Sequence, residues 1–294
     1  MLKTENKQKR ALPLVRTKKT RKLIGDIVCF AVALILSCIL IIPFLWMLIC
    51  SVQPESSLIF MNPPVWPDPI RLVNYKEVFF EIEMPLLFKN TMIIVVSNMV
   101  IGIAASISVA YAFARNRTRE KNIFFSVLLA TMMLPWVVTL VPQYIIYNKI
   151  NWLGTMLPLI APSIGGSAFF IFMFRQFLMA IPKDLDEAAL IDGCGRLGIL
   201  IRILLPQCMP IIATMIIFSF NGSWSDYVGP SIYLTDPDQY TLSIGLSKYL
   251  VANSVTPWHR VMAGCVLFSL PMIVVIFTCQ KAFTRGIVAS GLKV

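Results

Sequence analysis

The sequence predicts an all-α integral membrane fold: six transmembrane helices, with a short helical unit between the fourth and fifth that does not cross. Three observations predict it. Six charge-free apolar runs, residues 27–51, 91–114, 122–148, 150–174, 203–225 and 261–280, each meet the roughly 20-residue length that spans a hydrocarbon core as a helix. The chain is 57% hydrophobic and 14% charged, where a soluble domain carries about 25% charged residues. The basic residues sit before and between the runs on alternate sides, a positive-inside bias that sets orientation.

With the N-terminus placed in the cytoplasm, 20 of the 26 basic residues fall inside, leaving Arg71, Lys76, Lys89, Lys149, Lys248 and Arg260 outside. The net charge of +11 therefore reads as membrane topology rather than as a nucleic-acid footprint. Residues 1–26 form a basic cytoplasmic tail suited to anionic lipid. The apolar run after it exceeds the 7–15 residues or so of a signal-peptide core, and no small-residue cleavage site closes it.

The first outer loop, 52–89, is polar and proline-rich, with a short helix expected near 74–83. In run two, Ala110, Ala112 and Ala114 allow close helix packing, and Ser97, Asn98, Ser106 and Ser108 offer interhelical hydrogen bonds. Asn98 is also a candidate for the solute pathway, because polar groups inside a membrane mark such paths. Lys149 alone separates runs three and four, with the turn expected at 145–155. Pro135, Pro142, Pro158 and Pro162 predict kinks there. Gly165-Gly166 predicts a close helix contact or a bend. Asn221 and Trp224 end run five as further pathway candidates, while Trp224 and Trp258 also suit an interfacial belt. The seven cysteines lie mostly in apolar runs without metal-ligand spacing, so they read as small buried hydrophobes and no metal site is expected.

Between runs four and five the chain reads P-K-D-L-D-E-A-A-L-I-D-G from Pro182. Proline at a first helical position removes only an orphan donor. Asp184, Asp186 and Glu187 then meet the positive end of the helix dipole. Gly193 is placed to end the helix in the left-handed conformation. A helix of about three turns is expected, with Leu185, Ala188 and Ala189 on one side, forming a knob presented to something else.

Several function classes are excluded. There is no Gly-x-x-x-x-Gly-Lys-Ser/Thr loop to cradle ATP. No charged residue interrupts the six runs, whereas ion-coupled secondary transporters usually bury an ionisable group along their path. Neither a channel-filter ring nor a hydrolase constellation is present. Driving energy must come from elsewhere.

Glu187-Ala188-Ala189, three residues, Gly193, nine residues, then Ile203-x-Leu205-Pro206 resembles the EAA loop of binding-protein-dependent ABC import permeases. The acidic lead-in and Asp192-Gly193 are most similar to the carbohydrate branch, the maltose-type permeases. Asn74-Tyr75, Asn90-Thr91, Tyr111-Ala112-Phe113-Ala114-Arg115, Trp224 and the segment after Trp258 also resemble family patterns, although Ser225 replaces the usual asparagine and the final glycine is missing. The resemblance implies a type I ABC importer transmembrane domain over 27–294, with a coupling helix in 182–206. Glu187, Ala188, Ala189, Asp192, Gly193, Ile203, Leu205 and Pro206 would engage the ATPase: Glu187 by an ion pair, the alanines by slimness, Gly193 by a sharp exit and Pro206 by fixing the start of span five. It further implies a homologous permease, two ABC ATPase subunits holding ATP and Mg, an external solute-binding protein docking near 226–257, and a bacterial cytoplasmic membrane location. No cofactor is expected on this chain. The solute expected is a sugar or oligosaccharide. An amino acid, polyamine or oxyanion importer and an ATP-independent facilitator remain open.

Overall fold

In the computed structural model, residues 13–54, 66–67, 69–116, 118–252 and 257–291 are described, with side chains omitted at 13–21, 252 and 281–291. Residues 1–12 of the basic tail, residues 55–65 of the first loop and the last three residues lie outside the described set. So do the side chains of residues 281–291, on which the resemblance after Trp258 partly rests.

The described residues are helical, without strands. In order they form α1 (Pro13–Ser51), α2 (Val73–Glu81), α3 (Met84–Arg115), α4 (Lys121–Thr131), α5 (Trp136–Lys149) and α6 (Leu157–Ile160). There follow α7 (Ala168–Ala180), α8 (Asp184–Ile191), α9 (Arg196–Gly198), α10 (Leu205–Gln207), α11 (Met209–Trp224), α12 (Val228–Tyr233), α13 (Leu242–Ala252) and α14 (Trp258–Gly291). Four stretches are long and apolar enough to span: Lys22–Ser51, Met84–Arg115, Leu157–Ala180 and Trp258–Gln280. Two bent pairs complete six, Lys121–Thr131 with Trp136–Lys149 at 95°, and Arg196–Gln207 with Met209–Trp224 at 83°.

The prolines and glycines explain the breaks. Pro135 sits in extended backbone (φ −60°, ψ 131°) ahead of α5 and splits run three. The turn that follows α5 uses Asn151 at φ 56°, a left-handed conformation asparagine tolerates better than most residues. Span four begins at Leu157, rather than at 150, and continues past Arg175. That guanidinium lies 3.9 Å from the Phe125 ring centroid, a cation–π contact that lets a charge sit on an apolar helix. Run five is broken. Residues 203–207 close the loop segment, and α11 starts at Met209, after the break at Cys208 (φ −89°, ψ 6°).

The helix α3 is the hub, packing on α7 and α11, while α14 packs on α1, α11 and α2. One core joins Ile103, Ile107, Ala110 and Ala114 of α3 to Ile171, Phe174 and Leu178 of α7 and to the loop residues Ala189, Ile199, Leu200 and Leu204. The second joins Val78, Leu87, Val95, Phe220, Trp224, Leu242 and Ala263 at the other end. Ala110 and Ala114 are buried, four residues apart on one face, whereas Ala112 is exposed. Helical periodicity puts it on the opposite side. Likewise Cys29 and Cys38 are exposed on α1, while Cys50 and Cys208 are buried.

The polar pairs of the outer region act as ties. Asn74 donates to the carbonyls of Ser51 at 2.9 Å and Gln53 at 2.8 Å, and Tyr75 meets Ser51 Oγ at 2.6 Å. Asn90 donates to Asp238 O at 2.8 Å and Tyr240 O at 3.1 Å. Thr91 accepts from the Leu242 amide at 2.8 Å. These bonds fasten the segment after α11 onto the start of α3.

Candidate coupling site

The loop 182–206 projects from the end of the bundle beside the C-terminus of α3. Its helix α8 begins after Lys183, with Asp184, Asp186 and Glu187 in the first turn, and runs eight residues, about two turns rather than three. Its stop is a complete Schellman motif. Gly193 lies at φ 77°, its amide bonds Leu190 O at 3.1 Å, and the Cys194 amide bonds Ala189 O at 2.9 Å. That pair of bonds satisfies carbonyls the helix end would otherwise orphan. The chain then turns through α9 into a π-helical stretch, Ile199–Leu204, a geometry frequent at functional sites.

The knob has a seated side and an exposed side. Ala189 is 5% exposed, so a methyl group is all the first core accommodates there. Ala188, Glu187, Asp192, Gly193 and Pro206 are exposed, and Ile203 and Leu205 are half-buried. Leu185 and Ala188 thus do not share the environment of Ala189. Large apolar side chains also face outward, with Ile191 87%, Leu197 72% and Ile201 59% exposed.

Two polar contacts hold the loop to α3. Arg115 Nε lies 2.6 Å from Asp186 Oδ2, with side chains 8% and 14% exposed, and the same guanidinium donates to Ile181 O at 3.2 Å. Tyr111 donates from its hydroxyl to Arg196 O at 3.3 Å. Burial pushes the Asp186 carboxyl above its ordinary range, and neighbouring Glu187 adds to this. Arg115 and Lys183 pull it down without cancelling the effect. The short ion pair and the raised proton affinity are compatible, because removing a carboxylate from water can cost more than its partner returns. A cavity of about 330 Å³ opens beside the pair, lined by Tyr111, Arg115, Asn116, Lys183, Leu190 and Arg196 among others.

The pathway candidates separate. Asn98 bridges α3 to α11 by donating to Ser223 Oγ at 3.2 Å, and its Oδ1 is buried without a hydrogen-bond partner. Asn221 is exposed on α11. Trp224 is 1% exposed, donates to Phe268 O and stacks on Phe220. It is a core residue, neither pathway lining nor interfacial belt, because α14 and Phe220 enclose its ring. Sequence reasoning missed Ser223, and it missed the partnership of Arg115 with Asp186. The sequence places Asp186 at the positive end of the helix dipole and gives Arg115 no partner.

A bundle of bent spans carrying a capped, outward-facing helix in a loop defines a multi-pass permease subunit. Residues 102–289 match the family described as binding-protein-dependent transport system inner membrane component, and the chain belongs to that family. It is 29% identical over 253 residues to the sulfoquinovosyl glycerol transport system permease protein SmoH of Agrobacterium fabrum, covering 85% of this chain and 88% of the relative. It is 30% identical over 261 residues to the probable starch degradation products transport system permease protein AmyC of Thermoanaerobacterium thermosulfurigenes, covering 88% and 94%. The arabinooligosaccharides permease protein AraQ of Halalkalibacterium halodurans is 29% identical, with 87% and 92% covered. In fold the chain is similar to the crystal structure of a bacterial ABC transporter involved in importing the acidic polysaccharide alginate. The TM-score there is 0.77 at 21% identity, over 90% of this chain and 98% of that one.

Proposed function

We propose that this permease works with a homologous permease and two ATPase subunits to import a sugar or oligosaccharide delivered by an external binding protein. Relatives named for sulfoquinovosyl glycerol, starch products and arabinooligosaccharides support the solute class. The observation that carries the mechanism is the capped α8 knob, seated on the core through Ala189 and presenting Glu187, Ala188, Leu190 and Ile191 outward. Such a surface suits a groove in a cytoplasmic ATPase. Glu187 supplies a charge for a basic partner, Asp192-Gly193 makes the exit, and Ile203, Leu205 and Pro206 carry motion toward α11.

ATP and Mg belong to the ATPase, and this chain holds no cofactor. ATP-driven closure of the ATPase pair displaces the knob and shifts the spans between two access states, an equilibrium biased by ligand. The N-terminus and the knob lie on the cytoplasmic side, as the basic residues indicate. Asn98 and Asn221 are the pathway residues proposed, as polar groups on spanning helices.

The test is gentle solubilisation and affinity capture, with the co-purifying subunits identified and ATPase activity assayed. A second permease and an ATPase, stimulated by a sugar-loaded binding protein, are expected. Stimulation by a binding protein for an amino acid, polyamine or oxyanion would overturn the solute class alone. Transport by the lone chain without ATP would overturn the mechanism.

A further inference from the structure

We infer that Arg115 is a positioning residue that locks the knob, α7 and α3 into a single lever; this rests on the coupling reading above. Two fastenings join α3 to the fourth span and its loop. The first is at Ser106, whose Oγ accepts from the Ser167 amide at 3.0 Å and donates to Gly102 O at 2.6 Å. There Gly166 turns at φ 71°, so close that a Cβ would meet Ser106 N at 3.1 Å and Cα at 3.2 Å. The second is at Arg115, which holds Asp186 and Ile181 O together.

Nine residues of α3 separate the two points, a lever arm of about 13 Å at 1.5 Å per residue. Between them Ile107, Ala110 and Ala114 pack on Ile171, Phe174 and Leu178. Apolar packing of this kind resists separation but not sliding, since dispersion contacts have little direction. The Arg115 guanidinium adds two polar ties, an ion pair to Asp186 and a directional hydrogen bond to Ile181 O. It takes one partner from the end of α7 and one from α8, so the corner between those helices cannot open without breaking it. A push on the knob then moves α3 as a body instead of bending the loop. With Arg115 disengaged, the knob would still seat through Ala189 but would yield under load.

The experiment uses the assembled transporter in liposomes, with Asp186→Asn, Asp186→Glu and Arg115→Lys. Each is scored for ATPase subunit retained and for solute imported per ATP hydrolysed. Asp186→Asn is expected to keep the ATPase subunit while import per ATP falls about tenfold. Asp186→Glu, which keeps the charge, should recover most of the ratio, and Arg115→Lys, which loses the fork, should lie between. An Asp186→Asn complex with the normal ratio would overturn the lever. So would a variant whose uptake falls only in proportion to lost ATPase subunit, since that makes the pair a docking element. If the unmodified permease captures no ATPase, the coupling reading itself fails, and the lever with it.

Discussion

Trp224 donates its indole N–H to the Phe268 carbonyl at 3.0 Å, and its ring lies 5.4 Å from Phe220 at an interplanar angle of 14°. The bond joins α11 to α14 inside the second core, beneath the segment that Asn90 and Thr91 hold in place. Replacing Trp224 with Ala empties that site and should destabilise the fold by about 3–5 kcal/mol. Phe should cost less, chiefly one hydrogen bond of about 1 kcal/mol. Fluorescence-detected size exclusion and melting in detergent measure both. An alanine variant that melts normally and loses only uptake would return Trp224 to the pathway.

Gly166 is fixed twice over, by its positive φ and by the backbone of Ser106. Ala at this position has to take a left-handed conformation and displace α3. About 1–3 kcal/mol of destabilisation is expected from overpacking, with the strained backbone adding to it. Ser106→Ala loses only the hydrogen bonds and should melt closer to the parent. Equal melting of Gly166→Ala and the parent would mean that the two spans are free to separate there.

Gly193 meets no atom within 4 Å of a Cβ position, so its requirement is purely conformational. Valine pays roughly 1–2 kcal/mol in the left-handed region, and its branched side chain disfavours the Schellman stop. We expect Gly193→Val to insert normally and to capture less ATPase subunit. Asparagine, which tolerates that conformation, should retain most of the capture. Quantitative co-purification of the two variants decides it.

Asp186 gives a pH dependence whose sign follows from burial. Its carboxyl protonates at higher pH in the folded protein than in the unfolded chain. Holding the charge at neutral pH therefore costs the fold, and that cost is relieved as pH falls through the raised pKa. The ion pair with Arg115 opens over the same range, with Lys183 and Glu187 as the other charged neighbours. Import per ATP should therefore fall on the acid side, while Asp186's own contribution to stability improves. Asp186→Asn should lack that acid limb. Paired transport and melting curves taken from neutral pH down through the carboxylate range test the two signs; an acid limb unchanged in Asp186→Asn would assign it to another group.

The sequence by itself determined the six apolar runs, the breaks near Pro135 and Gly166, and the placement of Gly193 at the end of a short acidic helix. These are local properties: length, charge, ring closure at proline and freedom of φ at glycine act on neighbouring residues wherever the chain lies. Only the tertiary structure decided that Trp224 is enclosed. It alone joined Asn98 to Ser223, 125 residues away, and Arg115 to Ile181, 66 residues away. Such partners carry no periodic signal. Each is a polar group whose burial demands a mate, and which mate it finds depends on how the bent spans return to one another.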